Sequence, residues 1–315
     1  MGEAAPSGLH RFAVATAAAT CVLLFIGGLV TSTGSGLAVP DWPLSFGMVF
    51  PPMVGGVLFE HGHRLAATVV GSLTVVLAVW TVVAERRASV RVLGLGALFA
   101  VVLQGVLGGV TVLYKLPLAV SVTHACLAQA FFCLTVTLAV LTSPGWTAPR
   151  ARTVSPGLAT FATAATVVVF LQIVLGALMR HMGAGLAIPD FPLAFGRVVP
   201  PLVTPLITVH FAHRVGALVV AVVVLAMAAV TLRRHGSDAW LRRPAVLAVG
   251  LLVAQIALGA VTIWSRRAIV PTTAHLVVGA GLLATCLVLA LRTRRLALPR
   301  PATVASIELR RQAIA

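Results

Sequence analysis

Long apolar stretches alternate with short polar segments along most of the chain. A run of about 20 apolar residues is long enough to cross the hydrocarbon core of a bilayer as a helix. Eight such runs are present, near residues 12–31, 62–84, 92–113, 120–142, 157–179, 209–232, 244–264 and 272–292. The first run leads directly into a Gly- and Pro-rich segment without a signal-peptide cleavage pattern. The pattern therefore predicts an all-α integral membrane protein with eight transmembrane helices.

Much of the sequence is duplicated. The segment GSGLAVPDWPLSFG at 34–47 returns as GAGLAIPDFPLAFG at 183–196, which is 149 residues later. A His-Arg pair recurs as His63–Arg64 and His213–Arg214. Each half contains four predicted spans, and an even number gives both copies the same orientation in the membrane. We therefore expect two four-helix bundles related as a parallel repeat.

The duplication also divides the chain. The predicted units are an N-terminal half at 1–142, a linker at 143–156, a C-terminal half at 157–299 and a basic cytoplasmic tail at 300–315.

Composition supports a membrane protein and explains the charge. Charged residues make up 10% of the chain, against roughly 25% in soluble domains. The net charge of +16 could suggest nucleic acid, but 16 of the 23 Lys and Arg residues lie on one predicted side and five in the opposite loops. The positive-inside rule places the first side in the cytoplasm. We expect a lipid-embedded, multi-pass protein of the cell membrane with both termini cytoplasmic and no nucleic-acid partner.

All four cysteines fall inside predicted spans. Cys21, Cys126, Cys133 and Cys286 are therefore expected to pack as small apolar residues rather than to form disulfides.

Four of the nine histidines recur in register. His63 matches His213, and His124 matches His275, each a turn or two from the outer end of its span. Each half thus offers two imidazoles from two helices at similar depth, which suits bis-histidine ligation of a haem iron. The alternatives are a buried histidine bonded to a carbonyl, and zinc, which prefers four clustered ligands. Duplication favours haem, because polar residues in membrane spans are scarce and usually functional.

One carboxylate accompanies these histidines. Glu60 lies three residues before His63, so both share a helix face. The equivalent position in the second half is His210. An acid beside a haem can accept a proton; the alternative is a residue that caps the helix N-terminus.

Charged residues near the repeated loops are further candidates. Arg64 and Arg214 follow the paired histidines and suit haem propionates, or else extend to the outer surface. Asp41 and Asp190 stand beside prolines in the loops, where a structural role in closing turns is expected.

These motifs together resemble a known family. The segment GGLVTSTGSGLAVPDWPLSFG, the EHGHR motif at 60–64 and the duplicated histidines resemble the haem A synthases over nearly the whole chain. The resemblance implies oxidation of the C8 methyl group of haem O to a formyl group, giving haem A for terminal oxidases. It further implies that His63 and His124 flank the substrate haem, that His213 and His275 are the axial iron ligands of a resident haem b cofactor, and that Glu60 is the catalytic acid/base.

The chain departs from the family in one respect. Many bacterial members have a cysteine pair in the first external loop, whereas residues 34–59 contain no cysteine here. The expected partners are haem O, an unidentified electron acceptor and, as a candidate, the haem O synthase (a protohaem farnesyltransferase).

Two other functional classes are alternatives to the enzyme. A diheme b-type electron-transfer protein would need neither Glu60 nor a difference between the halves. A transporter would place polar groups near the bilayer midplane, whereas those of this chain cluster near the outer face. The sequence therefore favours the enzyme.

Overall fold

The computed structural model describes residues 7–150 and 152–297 and confirms the eight predicted membrane helices. The helices are α1 (Ser7–Ser32), α2 (Gly56–Ala84), α3 (Ala88–Leu113), α4 (Leu118–Leu141), α5 (Pro144–Thr147), α6 (Pro156–His181), α7 (Pro205–His235), α8 (Ala239–Trp264) and α9 (Ile269–Ala297). All except the short α5 are long and apolar enough to cross a membrane. The predicted tail at 300–315 lies outside the described residues.

Several helices begin earlier than the hydropathy pattern predicted. Helix α2 begins at Gly56 rather than near residue 62, and α7 begins at Pro205 rather than near residue 209. Polar residues such as Glu60 lower the local hydropathy, but they do not interrupt a helix. As a result, Glu60 and His63 lie inside α2 instead of at its border.

The start of α7 has a clear local cause. Pro205 occupies the first helical turn, where its missing N–H costs nothing. The Thr204 hydroxyl accepts the Ile207 N–H at 3.2 Å and so caps the helix. Helix α2 has no such side-chain cap, since its N-cap residue is Gly55.

Each half of the chain closes into a ring of four helices. Helices α1 to α4 contact one another in chain order, and α1 also contacts α4; α6 to α9 make the same set of contacts. The halves meet where α1 and α4 pack on α9 and where α4 packs on α6. That the halves are parallel repeats about an axis along the membrane normal, and that the chain divides at the predicted boundaries, stay predictions.

Apolar side chains fill each ring and the seam between the rings. One core includes Leu9, Leu77 and Leu138 from the first half, and another lies among α6 to α9. A small third cluster joins Leu24 of α1 and Ala280 of α9 with α4. The four cysteines are free thiols inside helices, as predicted.

A close backbone approach holds α1 against α9. A Cβ on Gly28 would lie 3.1 Å from Thr273 Cγ2. Next to this contact, the Ser32 and Thr273 hydroxyls are 2.9 Å apart. The Arg180 guanidinium of α6 donates to Gly28 O at 3.0 Å and Ser32 Oγ at 2.8 Å. The seam between the halves is thus tightly packed and polar near one end.

We predict that Gly28→Leu will lower the thermal unfolding midpoint of the protein in detergent, because the added side chain must push α1 away from α9. Overpacking of this kind costs about 1–3 kcal/mol. Gly96→Leu is the matched control, since a Cβ at Gly96 meets no atom within 4 Å. Equal midpoints for the two variants would contradict the close α1–α9 contact.

Candidate functional site

The two repeated loops adopt the same anchored conformation. The Asp41 carboxylate accepts the N–H groups of Phe46 at 2.7 Å and Gly47 at 2.8 Å. Asp190 accepts those of the equivalent Phe195 and Gly196, both at 2.8 Å. The predicted structural role of both aspartates is confirmed, although each bond reaches five or six residues ahead and not the shorter distance of an Asx turn.

These bonds alter the acidity of the aspartates. The Gly47 N–H, and after it the Phe46 N–H, holds the pKa of Asp41 below its usual range. The Gly196 N–H leads the same effect on the pKa of Asp190. Both carboxylates are therefore charged at neutral pH, when they bind the loop backbone most strongly.

The two arginines that follow the paired histidines reach into the loops. Arg64 Nη1 donates to Asp41 O at 2.7 Å and to Leu44 O at 2.8 Å. Arg214 donates to Asp190 O at 2.6 Å and to Leu193 O at 2.8 Å. Each guanidinium thus satisfies carbonyl groups of its own loop. Contact of either arginine with a haem propionate stays a prediction.

Glu60 and His210 accept hydrogen bonds from equivalent backbone N–H groups in the two halves. Glu60 is 4% exposed, and its Oε2 accepts the Val39 N–H at 2.8 Å. His210 Nδ1 accepts the N–H of Ile188, the residue equivalent to Val39, at 3.3 Å. Glu60 therefore does not cap its own helix, which excludes the capping alternative. A carboxylate therefore accepts the loop N–H in the first half, and an imidazole accepts the equivalent N–H in the second.

Only the carboxylate brings an ion pair into the site. Glu60 Oε1 lies 2.7 Å from Arg64 Nη2, and both side chains are largely buried. Such charge-assisted bonds fix both partners in orientation. Glu60 is consequently held by the loop on one oxygen and by its own helix on the other.

The sequence interpretation missed His61. This residue is 5% exposed; its Nδ1 lies 2.8 Å from Ser45 Oγ, and its Nε2 is buried without a partner. The second half has Phe211 and Ala194 at these two positions. His61 has no duplicated partner in the second half, so the repeat does not reveal it; its place next to Glu60 in the EHGHR motif is the signal that the sequence offers.

Every one of the four recurring histidines packs on a glycine of the preceding long helix. A Cβ on that glycine would lie 3.0–3.3 Å from the imidazole Cε1. The pairs are Gly27 with His63, Gly108 with His124, Gly176 with His213, and Gly259 with His275. Each half thus presents its two recurring histidines from two helices, as the sequence indicated; that the two imidazoles of a half ligate one iron stays a prediction.

Glutamines accompany three of these histidines. Gln104 Nε2 donates to His124 O at 2.9 Å. Gln255 Nε2 lies 3.3 Å from His275 Nε2, and Gln255 O lies 3.1 Å from His275 Nδ1. The third is Gln172, which contacts His213.

The donor set fits haem iron. Imidazole is a common axial ligand, and Nδ1 of both His63 and His124 is buried without a hydrogen-bond partner. Of the four recurring histidines described, His275 is the one whose ring lies within bonding distance of a backbone carbonyl, so carbonyl bonding does not account for the set. Among residues 7–150 and 152–297, no group of three or more His, Cys, Asp or Glu side chains could hold a metal ion together.

The fold and the site define a multi-pass helical membrane protein with a pair of partly buried imidazoles in each half. The profile of the COX15-CtaA family, described as cytochrome oxidase assembly protein, matches residues 54–287. The chain therefore belongs to the COX15-CtaA family.

Relatives of the chain carry a common name. A protein of Symbiobacterium thermophilum named heme A synthase is 34% identical over 260 residues, which cover 80% of this chain and 84% of that protein. Proteins of the same name from Alkalihalophilus pseudofirmus and Geobacillus kaustophilus are each 29% identical. The match to the first protein covers 83% of this chain and 89% of that protein. The match to the second covers 91% of this chain and 93% of that protein.

We predict that Asp41→Asn will increase amide hydrogen exchange at Phe46 and Gly47, because an amide side chain has one acceptor oxygen where the carboxylate uses two. The pKa of Asp41 is lowered by folding. In the wild type the protection should therefore be complete above the ordinary Asp pKa of about 3.9 and be lost as the pH falls through the lowered value.

Asp190→Asn serves as the control, since it should raise exchange only at Phe195 and Gly196. Unchanged exchange in the first loop of Asp41→Asn would contradict the anchoring role.

Proposed function

We propose that this chain is a haem A synthase, a membrane oxidoreductase that converts the C8 methyl group of haem O to a formyl group. The observation that carries the proposal is the difference at one equivalent position: Glu60 and His210 both bind a loop amide, but only one half has a carboxylate beside its histidine pair. The relatives named heme A synthase support the same reaction.

The N-terminal half is the proposed substrate site. His63 and His124 flank haem O, and Glu60 accepts protons that the oxidation of a methyl group releases. The bond from Val39 N–H and the ion pair with Arg64 keep the Glu60 carboxylate in one orientation. A positioned base needs such restraint, because proton transfer depends on hydrogen-bond geometry.

The C-terminal half is the proposed cofactor site. His213 and His275 would hold haem b, which supplies one-electron transfer when bound. The equivalent of Glu60 is His210 there, and the equivalents of His61 and Ser45 are Phe211 and Ala194. This half therefore lacks a carboxylate base at the corresponding place, which suits a centre that passes electrons without taking up substrate protons.

The arginines are proposed to serve both loop and haem. Arg64 and Arg214 stand one residue after the paired histidines and carry the positive charge that propionates require. Arg214 Nε is buried without a partner, so one donor remains available in that half.

The protein is proposed to lie in the cell membrane with both termini in the cytoplasm, as the distribution of Lys and Arg indicates. The proposed partners are haem O, the haem O synthase that makes it and an electron acceptor. A diheme b-type carrier is the weaker candidate, since it has no use for Glu60.

We predict that the purified chain contains haem b alone when it is expressed without a haem O synthase, and haem A with its intermediates when the two are expressed together. Haem extraction and the pyridine haemochrome spectrum distinguish these species. Glu60→Gln should lower haem A formation by about 10²–10⁴-fold while haem b is retained. His210→Gln is the matched control and should retain activity. Haem b without haem A in every wild-type preparation would favour the electron carrier.

A second prediction separates the two halves. His213→Ala and His275→Ala should remove the haem b spectrum from protein that was expressed without haem O synthase. His63→Ala and His124→Ala should leave it in place, because they alter the substrate site. Loss of haem b only in His63→Ala and His124→Ala would reverse the assignment of the two halves.

A further inference from the structure

The partners of the proposed ligand histidines differ between the two haem sites. Gln172 of α6 binds His213 at two points: its Nε2 donates to His213 O at 2.7 Å and lies 3.1 Å from His213 Nδ1. The Gln172 amide therefore contacts both the imidazole ring and the backbone carbonyl of His213. In this arrangement Nδ1 is the acceptor; when iron occupies Nε2, Nδ1 carries the proton, and the amide turns over so that its Oε1 accepts that proton in place of the bond to His213 O.

The first half has no such partner. The residue equivalent to Gln172 is Leu23, in the register that matches Gly27 with Gly176. His63 Nδ1 is buried and has no hydrogen-bond partner. The other ligand position differs as well: both His124 and His275 have a glutamine beside them, but His275 Nδ1 lies 3.1 Å from Gln255 O, whereas His124 Nδ1 has no partner.

A glycine makes the contact of Gln172 possible. A Cβ on Gly216 would overlap Gln172 Oε1, so the amide fits only because Gly216 has no side chain. The equivalent residue of the first half is Ala66. The two halves therefore differ by a matched pair, Gln172 with Gly216 against Leu23 with Ala66.

We propose that the Gln172–Gly216 pair makes His213 a permanent haem ligand, and that the Leu23–Ala66 pair leaves His63 able to release its haem. Together with the Nδ1 partner of His275, the Gln172–Gly216 pair would favour retention of a cofactor in the second half and exchange of substrate for product in the first. This inference rests on the proposed function. Gln172 acts here as a positioning residue, because partners that orient a ligating histidine typically change the affinity for the bound group by 10–100-fold.

The experiment uses the full chain expressed without haem O synthase, so that haem b is the bound haem. Transfer of haem b to excess apomyoglobin gives its dissociation rate from the absorbance change. Gln172→Leu, which installs the residue of the first half, should raise this rate by about 10–100-fold. The low-spin electron paramagnetic resonance spectrum of the oxidised haem should also shift, because the imidazole plane is no longer held.

Gly216→Ala is the sharper variant, because it keeps Gln172 in the chain. The new Cβ should displace the amide, and the end of a flexible side chain moves at little cost, so the variant should reproduce both effects of Gln172→Leu. Gly250→Ala is the matched control, since a Cβ at Gly250 meets no atom within 4 Å. It should release haem b at the wild-type rate.

The converse variant tests the first half. The double change Leu23→Gln with Ala66→Gly should give His63 the missing partner. When this variant is expressed with haem O synthase, we expect the haem at the first site to dissociate about 10–100-fold more slowly than in the wild type.

Wild-type dissociation rates and unchanged resonance spectra in both Gln172→Leu and Gly216→Ala would overturn the proposal. Should Gln172→Leu fail to accumulate, Gln172→Met keeps the length of the side chain without its amide, and Gly216→Ala gives an independent answer. Failure of the proposed function would look different: the wild type would lack haem b, or His213→Ala would keep it.

Discussion

The site depends on the bonds that bind an irregular loop to the end of a membrane helix. Backbone N–H and C=O groups near the hydrocarbon region must find partners within the protein, because lipid provides none. In the first half Glu60 takes the Val39 N–H, and Arg64 takes carbonyl groups of the same loop. One turn of α2 therefore satisfies the loop, and it also carries the histidine that faces the neighbouring helix. Loop position and ligand position are consequently set by the same turn.

This constraint also explains how duplicated halves could diverge without loss of the fold. The hydrogen bond between helix and loop needs only a side-chain acceptor for one loop N–H, and either a carboxylate or an imidazole can accept it. Glu60 and His210 are thus interchangeable for the architecture and different in their chemistry. A carboxylate brings a negative charge and an ion pair with Arg64, whereas the imidazole brings neither. Chemistry can change at this position because the structural requirement is so simple.

Glycines that let a side chain of a neighbouring helix come close to the helix backbone are the second recurring feature. Gly27, Gly108, Gly176 and Gly259 each admit an imidazole from the next long helix, and Gly28 admits α9. Small residues let membrane helices approach one another where lipid gives no hydrophobic driving force for association. The histidines are therefore held by helix backbones, and the remaining differences between the halves, such as Gln172 against Leu23, act on rings whose depth is already set.

The sequence by itself determined the features that depend on local order along the chain. These are the eight spans, the duplicated loops, the recurring histidines and the place of Glu60 beside His63, because hydropathy and helical spacing are properties of neighbouring residues. The tertiary structure alone decided which groups meet across long separations. In the structure α2 begins at Gly56, and Arg64 donates to the loop carbonyls. His61 is buried against Ser45, and Gln172 contacts His213 in the space that Gly216 leaves. Each of these contacts joins residues at least 16 positions apart or depends on a helix border that polar residues conceal from hydropathy. They arise from packing between helices, which no local pattern records.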